Sequence, residues 1–318
     1  MKRFKNVLLV AHGGSGGEAP LKRAVSLAKR NRARLTVVEV IEELPRDIRR
    51  LMAAIPTQDL LELVIKERCE QLEQCIAPIR KEHAQVSAKV LIGTPFMEII
   101  REVLRRNHDL VIMTAEGRGG PKKWLFGSTS MHLMRKCPCP VWVMKPSRRA
   151  RYARILAAVD PDSSDDVKDA LNAKVLDLAT SLAQLEQSEL HVVHAWTLFG
   201  RSGKWIRSGI PASEVGKLAR EAREEKKRQV DRLLDRYALE DLNRHVHLLR
   251  GEAEVLIPEM AQRKRVDLIV MGTVCRTGLS GFFIGNTAEK VLQRVDCSVL
   301  TIKPEGFVTP VSLENVRD

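Results

Sequence analysis

Aromatic side chains are scarce in this 318-residue chain, at 4% of the whole. That scarcity argues against a stacking platform for single-stranded nucleic acid. Long apolar runs are missing as well. The N-terminus, MKRFKNVLLVAHGG, is basic and then apolar for only a short stretch, too short for a secretory signal core or a membrane span. The expectation is a cytoplasmic protein with no membrane span. Among Cys69, Cys75, Cys137, Cys139, Cys275 and Cys297 no pair is spaced C-x-x-C. Cys137-Pro138-Cys139 follows His132, but no second ligand pair comes at finger spacing, so buried, reduced thiols are a simpler reading than a metal site. There is no H-E-x-x-H and no nucleophile–base pairing. His191 and His194, three apart on a strand, point to opposite faces; His245 and His247 share a face without a carboxylate or cysteine at ligand spacing. No catalytic residue is expected, and the chain reads as a binding protein rather than an enzyme.

Hydrophobic residues make up 44% of the chain and charged residues 29%, a globular composition. The net charge is +13. Its densest run, KPSRRARYAR at 145–154, lies between two halves and reads as a solvated linker; a nucleic-acid footprint on Arg148, Arg149 and Arg151 is the alternative.

The halves repeat each other. DLVIM at 109–113 matches DLIVM at 267–271, and FGSTSMHLMRKCPCPVWVMKP at 126–146 matches IGNTAEKVLQRVDCSVLTIKP at 284–304. Gly93 and Gly251, Gly127 and Gly285, Cys139 and Cys297, and Lys145 and Lys303 are each 158 positions apart. VLLVAH at 7–12 matches ILAAVD at 155–160, with an offset of 148, so insertions accumulate between strands. Each copy alternates short apolar strands with amphipathic helices. The predicted strands are 7–11, 35–40, 86–92, 109–113 and 141–144, then 154–159, 189–195, 245–249, 267–271 and 298–302. Long helices are expected over 57–82 and 213–239. The pattern gives an α/β fold, two tandem doubly wound five-stranded parallel-sheet domains, with ligands expected outside the carboxyl ends of the strands. The domains are placed at 1–147 and 153–308, joined by a basic linker at 148–152 and followed by a tail at 309–318.

The first strand runs into GGSGGEAP, which holds G-x-G-x-x-A at Gly14, Gly16 and Ala19, with Glu39 where a dinucleotide fold keeps a ribose-holding acid. Ser15-Gly16-Gly17 is also similar to a pyrophosphate loop. The second copy has PDSSDDVK there and no glycine, so the cluster reads as a flexible turn into a helix opened by Pro20. The glycines that do repeat follow the fourth strand. Copy one has Thr114, Gly117, then Gly127-Ser128-Thr129; copy two has Gly272, Cys275, then Gly285-Asn286-Thr287.

That spacing, with the closing C-P-x-P or C-S-x-x strand and the terminal Lys-Pro, resembles the universal stress protein family, whose nucleotide-binding members carry G-2x-G-9x-G-[S/T]. The resemblance spans nearly the whole chain, once per half, as in tandem two-domain members. It implies the family's adenine nucleotide α-hydrolase-like fold, a role in stress survival, and a site for ATP, AMP or another small ligand. The candidate site residues that match its pattern or flank it are Asp160, Gly272, Arg276, Gly285, Asn286 and Thr287 in copy two, and Gly117, Arg118, Gly127, Ser128 and Thr129 in copy one, Arg118 and Arg276 being positive charges that follow the glycine or its replacement. Copy one departs at His12, which replaces the Asp ending strand one, and at Thr114; copy two departs at Cys275 and Asn286. Without a ligand, Ser128 reads as a helix cap, and Asn286 with Glu289 as a capping box. The last strands, VWVM and SVLTI, are expected to pair the domains as an intramolecular pseudo-dimer, with a homodimer of the chain as a further option. WTLFGRSGKWIRSGIP at 196–211 reads as a loop that either lids a hydrophobic small ligand over copy two or packs at an interface. A weak nucleotide-dependent ATPase switch and a nucleic-acid-associated protein are the other function classes.

Overall fold

A computed structural model of the chain describes residues 4–11, 18–42, 57–83, 85–115, 126–145, 151–161, 165–198, 211–237, 242–273 and 285–313. The chain divides into two compact units, Met1–Arg148 with Val308–Asp318, and Arg149–Phe307.

The first unit runs β1 (Asn6–Ala11), α1 (Glu18–Asn31), β2 (Arg34–Ile41), α2 (Thr57–Glu82), β3 (Val86–Ile92), α3 (Pro95–Arg106), β4 (Leu110–Thr114), α4 (Ser128–Lys136) and β5 (Val141–Met144). Its strands lie in the order β3-β2-β1-β4-β5, and the pairs β1·β2, β1·β4, β2·β3 and β4·β5 are all parallel. Strand β1 is the middle strand, and Val7, Leu8, Leu9 and Val10 are all buried. A strand covered by helices on both faces needs such an unbroken apolar run.

The second unit repeats the plan: β6 (Arg154–Ala158), α5 (Asp166–Glu186), β7 (Glu189–Trp196), α6 (Ala212–Leu234), β8 (Arg244–Arg250), α7 (Ala253–Lys264), β9 (Leu268–Gly272), α8 (Asn286–Arg294) and β10 (Ser298–Ile302). Its order is β8-β7-β6-β9-β10, again parallel throughout. All ten strands agree with the sequence prediction to within one or two residues at each end.

The duplication reaches the backbone. Gly93 (φ 132°) and Gly251 (φ 145°) turn the chain from β3 into α3 and from β8 into α7 in conformations that favour glycine. Asn107 and Arg265 end α3 and α7 in the left-handed region. Each unit also clasps the start of its middle strand. The Asp109 carboxylate accepts from Lys5 N (2.6 Å) and Asn6 N (3.0 Å), and that of Asp267 accepts from Ala153 N (2.7 Å) and Arg154 N (3.0 Å). In the first unit, buried Arg101 of α3 ion-pairs with Glu98 and donates Nε–H to the Ser312 carbonyl at 3.1 Å, which holds the segment 308–313.

Several local expectations change. Trp196 is the last residue of β7 and is buried, because the strand runs on until Gly251 N donates to its carbonyl; the rest of that loop, 199–210, lies outside the described residues. The second long helix ends at Leu234, followed by a turn. Pro20 stands within the first turn of α1, which opens at Glu18. Cys137 and Cys139 are buried, but Cys75 is exposed on α2 and Cys69 and Cys297 are partly exposed, so burial does not describe all the thiols. No helix among the described residues is long and apolar enough to cross a membrane.

Candidate functional site

In the second unit, parallel pairing of β6 and β9 brings Asp160 and Gly272 to the carboxyl ends of adjacent strands. The Asp160 side chain is 71% exposed. Its backbone N–H donates to Asn172 Oδ1 of α5 at 2.9 Å, and Lys168 Nζ lies 3.9 Å from its Oδ2. Behind it, His194 of β7 is buried, and its Nδ1 lies 3.1 Å from the Val159 carbonyl and 3.8 Å from Asp160 Oδ1. The carbonyl accepts, so Nδ1 carries the proton and Nε2 keeps its lone pair, with no hydrogen-bond partner among the described residues. Burial, only partly offset by the Val159 carbonyl and Asp160, pushes the His194 pKa below its usual value. The ring behind Asp160 is thus biased toward its neutral form.

Gly272 has a structural reason to be glycine. A Cβ there would stand 2.5 Å from Leu171 Cδ2 on α5. Beyond it, Thr273 N donates to the Ile302 carbonyl at 2.9 Å, as Ala115 N does to Met144 in the first unit (2.8 Å).

Helix α8 opens on Gly285 (φ −56°, ψ 135°), with no side-chain cap hydrogen bond among the described residues. The expected capping box is absent because Gly285, not Asn286, is the cap; Asn286 is the first helical residue, exposed beside exposed Thr287. The first unit matches this. Gly127 caps α4 without a side-chain bond, so Ser128 is not the cap either. Ser128 is exposed and Thr129 partly so, while Ser130 turns inward and donates to the Gly127 carbonyl at 2.9 Å. The two helix starts are thus alike, each opening on a glycine that supplies no side-chain cap.

Gly117, Arg118, Arg276, His12 and Cys275, and the glycine cluster at 12–17, lie outside the described residues. Glu39 is buried on β2 with Arg68 Nη1 of α2 at 3.8 Å, which accounts for an acid at that strand end. Arg151 donates to Gln187 Oε1 at 3.2 Å; Arg148 and Arg149 lie outside the described residues. The Cys137 and Cys139 sulfurs are 3.5 Å apart. Their hydrogen bond and burial push the Cys139 thiol well up, so it stays a thiol at neutral pH. Among the described residues, no three His, Cys, Asp or Glu side chains are grouped to hold a metal ion.

One cluster escaped the sequence reading. His191 of β7 lies in register with His245 of β8, and His247 follows on the same face. Ring centroids are 4.9 Å apart for His191–His245 and 5.3 Å for His191–His247. Periodicity found the shared face of His245 and His247 but carried no register between β7 and β8.

The profile of the universal stress protein family matches residues 3–145 and 151–303. Universal stress protein E of Salmonella typhi is 29% identical over 320 residues, covering 100% of each chain, and that of Escherichia coli (strain K12) is 28% identical with the same coverage. A solved structure assigned to the same family, from Pseudomonas aeruginosa UCBPP-PA14, superposes with a TM-score of 0.71 at 28% identity, covering 95% of this chain and 94% of its own. With a matching profile in each unit and full-length relatives of tandem length, the chain belongs to the universal stress protein family.

Proposed function

We propose that this chain is a stress-response protein that binds, rather than transforms, a small phosphate-bearing ligand of the adenine nucleotide class, such as ATP or AMP, at the carboxyl end of the second unit's sheet. The reading rests on two features: α8 begins on Gly285 with no side-chain cap among the described residues, and the exposed Asp160 carboxylate follows β6, whose sheet neighbour β9 precedes α8 in the chain. A helix N-terminus offers N–H groups and a favourable dipole to phosphate. Asn286 and Thr287 would add side-chain donors on that turn, and Asp160 would accept from a ribose hydroxyl. Arg276 completes the phosphate side of the proposal. In the first unit Gly127, Ser128 and Thr129, with Gly117 and Arg118, would hold phosphate alone, since His12 replaces the ribose-holding acid. The names of the full-length relatives support the stress-response role.

Isothermal titration with ATP and AMP in the presence of Mg²⁺, alongside native mass spectrometry of the purified chain, tests this. Asp160→Ala should weaken binding at least about tenfold, the equivalent of about 1.4 kcal/mol, and leave the ligand-free melting temperature unchanged because the side chain is exposed. No heat with either nucleotide and no co-purifying phosphate ester would overturn it.

A further inference from the structure

We propose that His191, His245 and His247 form an acid-sensitive latch that holds the outer strand β8 on β7 while the rings are neutral and releases it in acid. The reasoning starts from position. Strand β8 has β7 as its sheet neighbour in the second unit and exposes Arg244, His245 and Val246. All three rings sit on one face of this strand pair, His191 buried, His247 partly exposed and His245 exposed.

The chemistry follows from one contact. His191 Nδ1 and His247 Nε2 are 3.0 Å apart, so one nitrogen must donate and the other accept. A single added proton binds an outward-facing ring nitrogen and leaves the N–H···N bond intact, now between an imidazolium donor and a neutral acceptor. A second proton turns both facing nitrogens into donors and sets two cations against each other, with His245 4.9 Å from His191 and 6.4 Å from His247.

The surroundings favour the neutral forms of His191 and His247. Glu189 Oε2 lies 3.6 Å from His191 Nε2, but Arg154 Nε shares that carboxylate oxygen at 3.1 Å. Helix α7, packed on β7, brings Lys264 and Arg263 toward the cluster, and Arg244 begins β8 opposite Leu190. Lys226 of α6 acts on His194, on the other face of β7. Burial first, then His191 and Lys264, hold the His247 pKa down at about 4; burial and then His245 lower that of His191.

The sign is fixed by linkage. On a released strand His247 titrates near the ordinary 6.5, while the docked strand binds the His247 proton only near 4. The docked state is fully favoured above 6.5 and loses that advantage as pH falls through the interval from 6.5 to about 4. For His247 alone, release becomes about 30-fold more favourable on going from pH 7.5 to pH 5.

Amide hydrogen exchange on the full chain, corrected for the pH dependence of the chemical exchange step, reads this directly. Amides of 244–250 should gain about 30-fold in opening between pH 7.5 and 5 while those of β1, β4 and β6 stay within about threefold. The double variant His245→Gln with His247→Gln should reduce the β8 gain to about threefold as well. Equal protection of β8 at both pH values, equal acceleration in all strands, or an undiminished gain in the double variant would overturn the latch. If that variant fails to fold, an NMR titration of His247 in the unmodified chain decides: a midpoint near 4 supports the latch and one near 6.5 removes it.

Discussion

Gly272 stands where the family pattern places its first phosphate-loop glycine, and packing alone accounts for it. A Cβ there would lie 2.5 Å from Leu171 Cδ2 and 2.9 Å from Leu171 Cγ. Leu171 is buried on the face of α5 that also buries Val175, Leu178 and Leu182, so it cannot swing aside without compressing its neighbours. Gly272→Ala should therefore cost about 1–3 kcal/mol by overpacking. In a unit of this size that lowers the melting temperature by about 2–4 °C per kcal/mol. Leu171→Ala alone should cost about 2–4 kcal/mol and leave a cavity that accepts the new methyl group. Adding Gly272→Ala to that background should then cost nothing, a coupling as large as the Gly272→Ala penalty itself. Scanning calorimetry that resolves the transition of the second unit is the assay, because two units in one chain make a single melting point ambiguous. If Gly272→Ala melts with the unmodified chain, or costs the same with and without Leu171, the packing account fails and backbone approach to a ligand becomes the reason for glycine. In the first unit Thr114 fills the equivalent place with a partly buried side chain, so no such contact excludes a Cβ there.

Two further outcomes are expected. Removing either clasp, by Asp109→Ala or Asp267→Ala, strips one exposed and one part-buried backbone N–H of their acceptor and should cost about 1 kcal/mol each by denaturant unfolding. The two effects should add, since the sites are in different units; strongly non-additive values would refute the clasps as independent. In the first unit Lys89 Nζ lies 2.6 Å from Oε2 of buried Glu102. Lys89→Ala leaves that carboxylate unpaired and should cost about 2–3 kcal/mol, whereas Glu102→Gln should cost less than half as much; the reverse order in equilibrium unfolding would refute the assignment.

Repeat arithmetic made the architecture legible. A strand buried on both faces must be a short apolar run, and finding each run twice separated strands such as DLVIM and DLIVM from helical segments of similar composition. Helix starts were less legible. Asn286 and Glu289 have the spacing of a capping box, but Gly285 already takes the cap conformation, and only the backbone reveals that one-residue shift. Gly272 was read through its motif, while its partner Leu171 lies 101 positions earlier, a distance no local pattern spans. The histidine cluster failed to show for the same reason, because it depends on register between β7 and β8. Asp160 and the glycines before α4 and α8 were legible because strand ends and helix starts are fixed by the order of the elements.

The aspartate clasps also bear on the order in which the chain can mature. In each unit the middle strand has its first amides satisfied by a residue more than a hundred positions downstream, 103 for Asn6 with Asp109 and 113 for Arg154 with Asp267. Closing loops that long is slow, and during synthesis the partner leaves the ribosome late. A nascent half must therefore wait, with its central β-strand unanchored, until about three-quarters of it has been made, since Asp109 lies in a unit ending at Arg148 and Asp267 in one running from Arg149 to Phe307; only then can its sheet close.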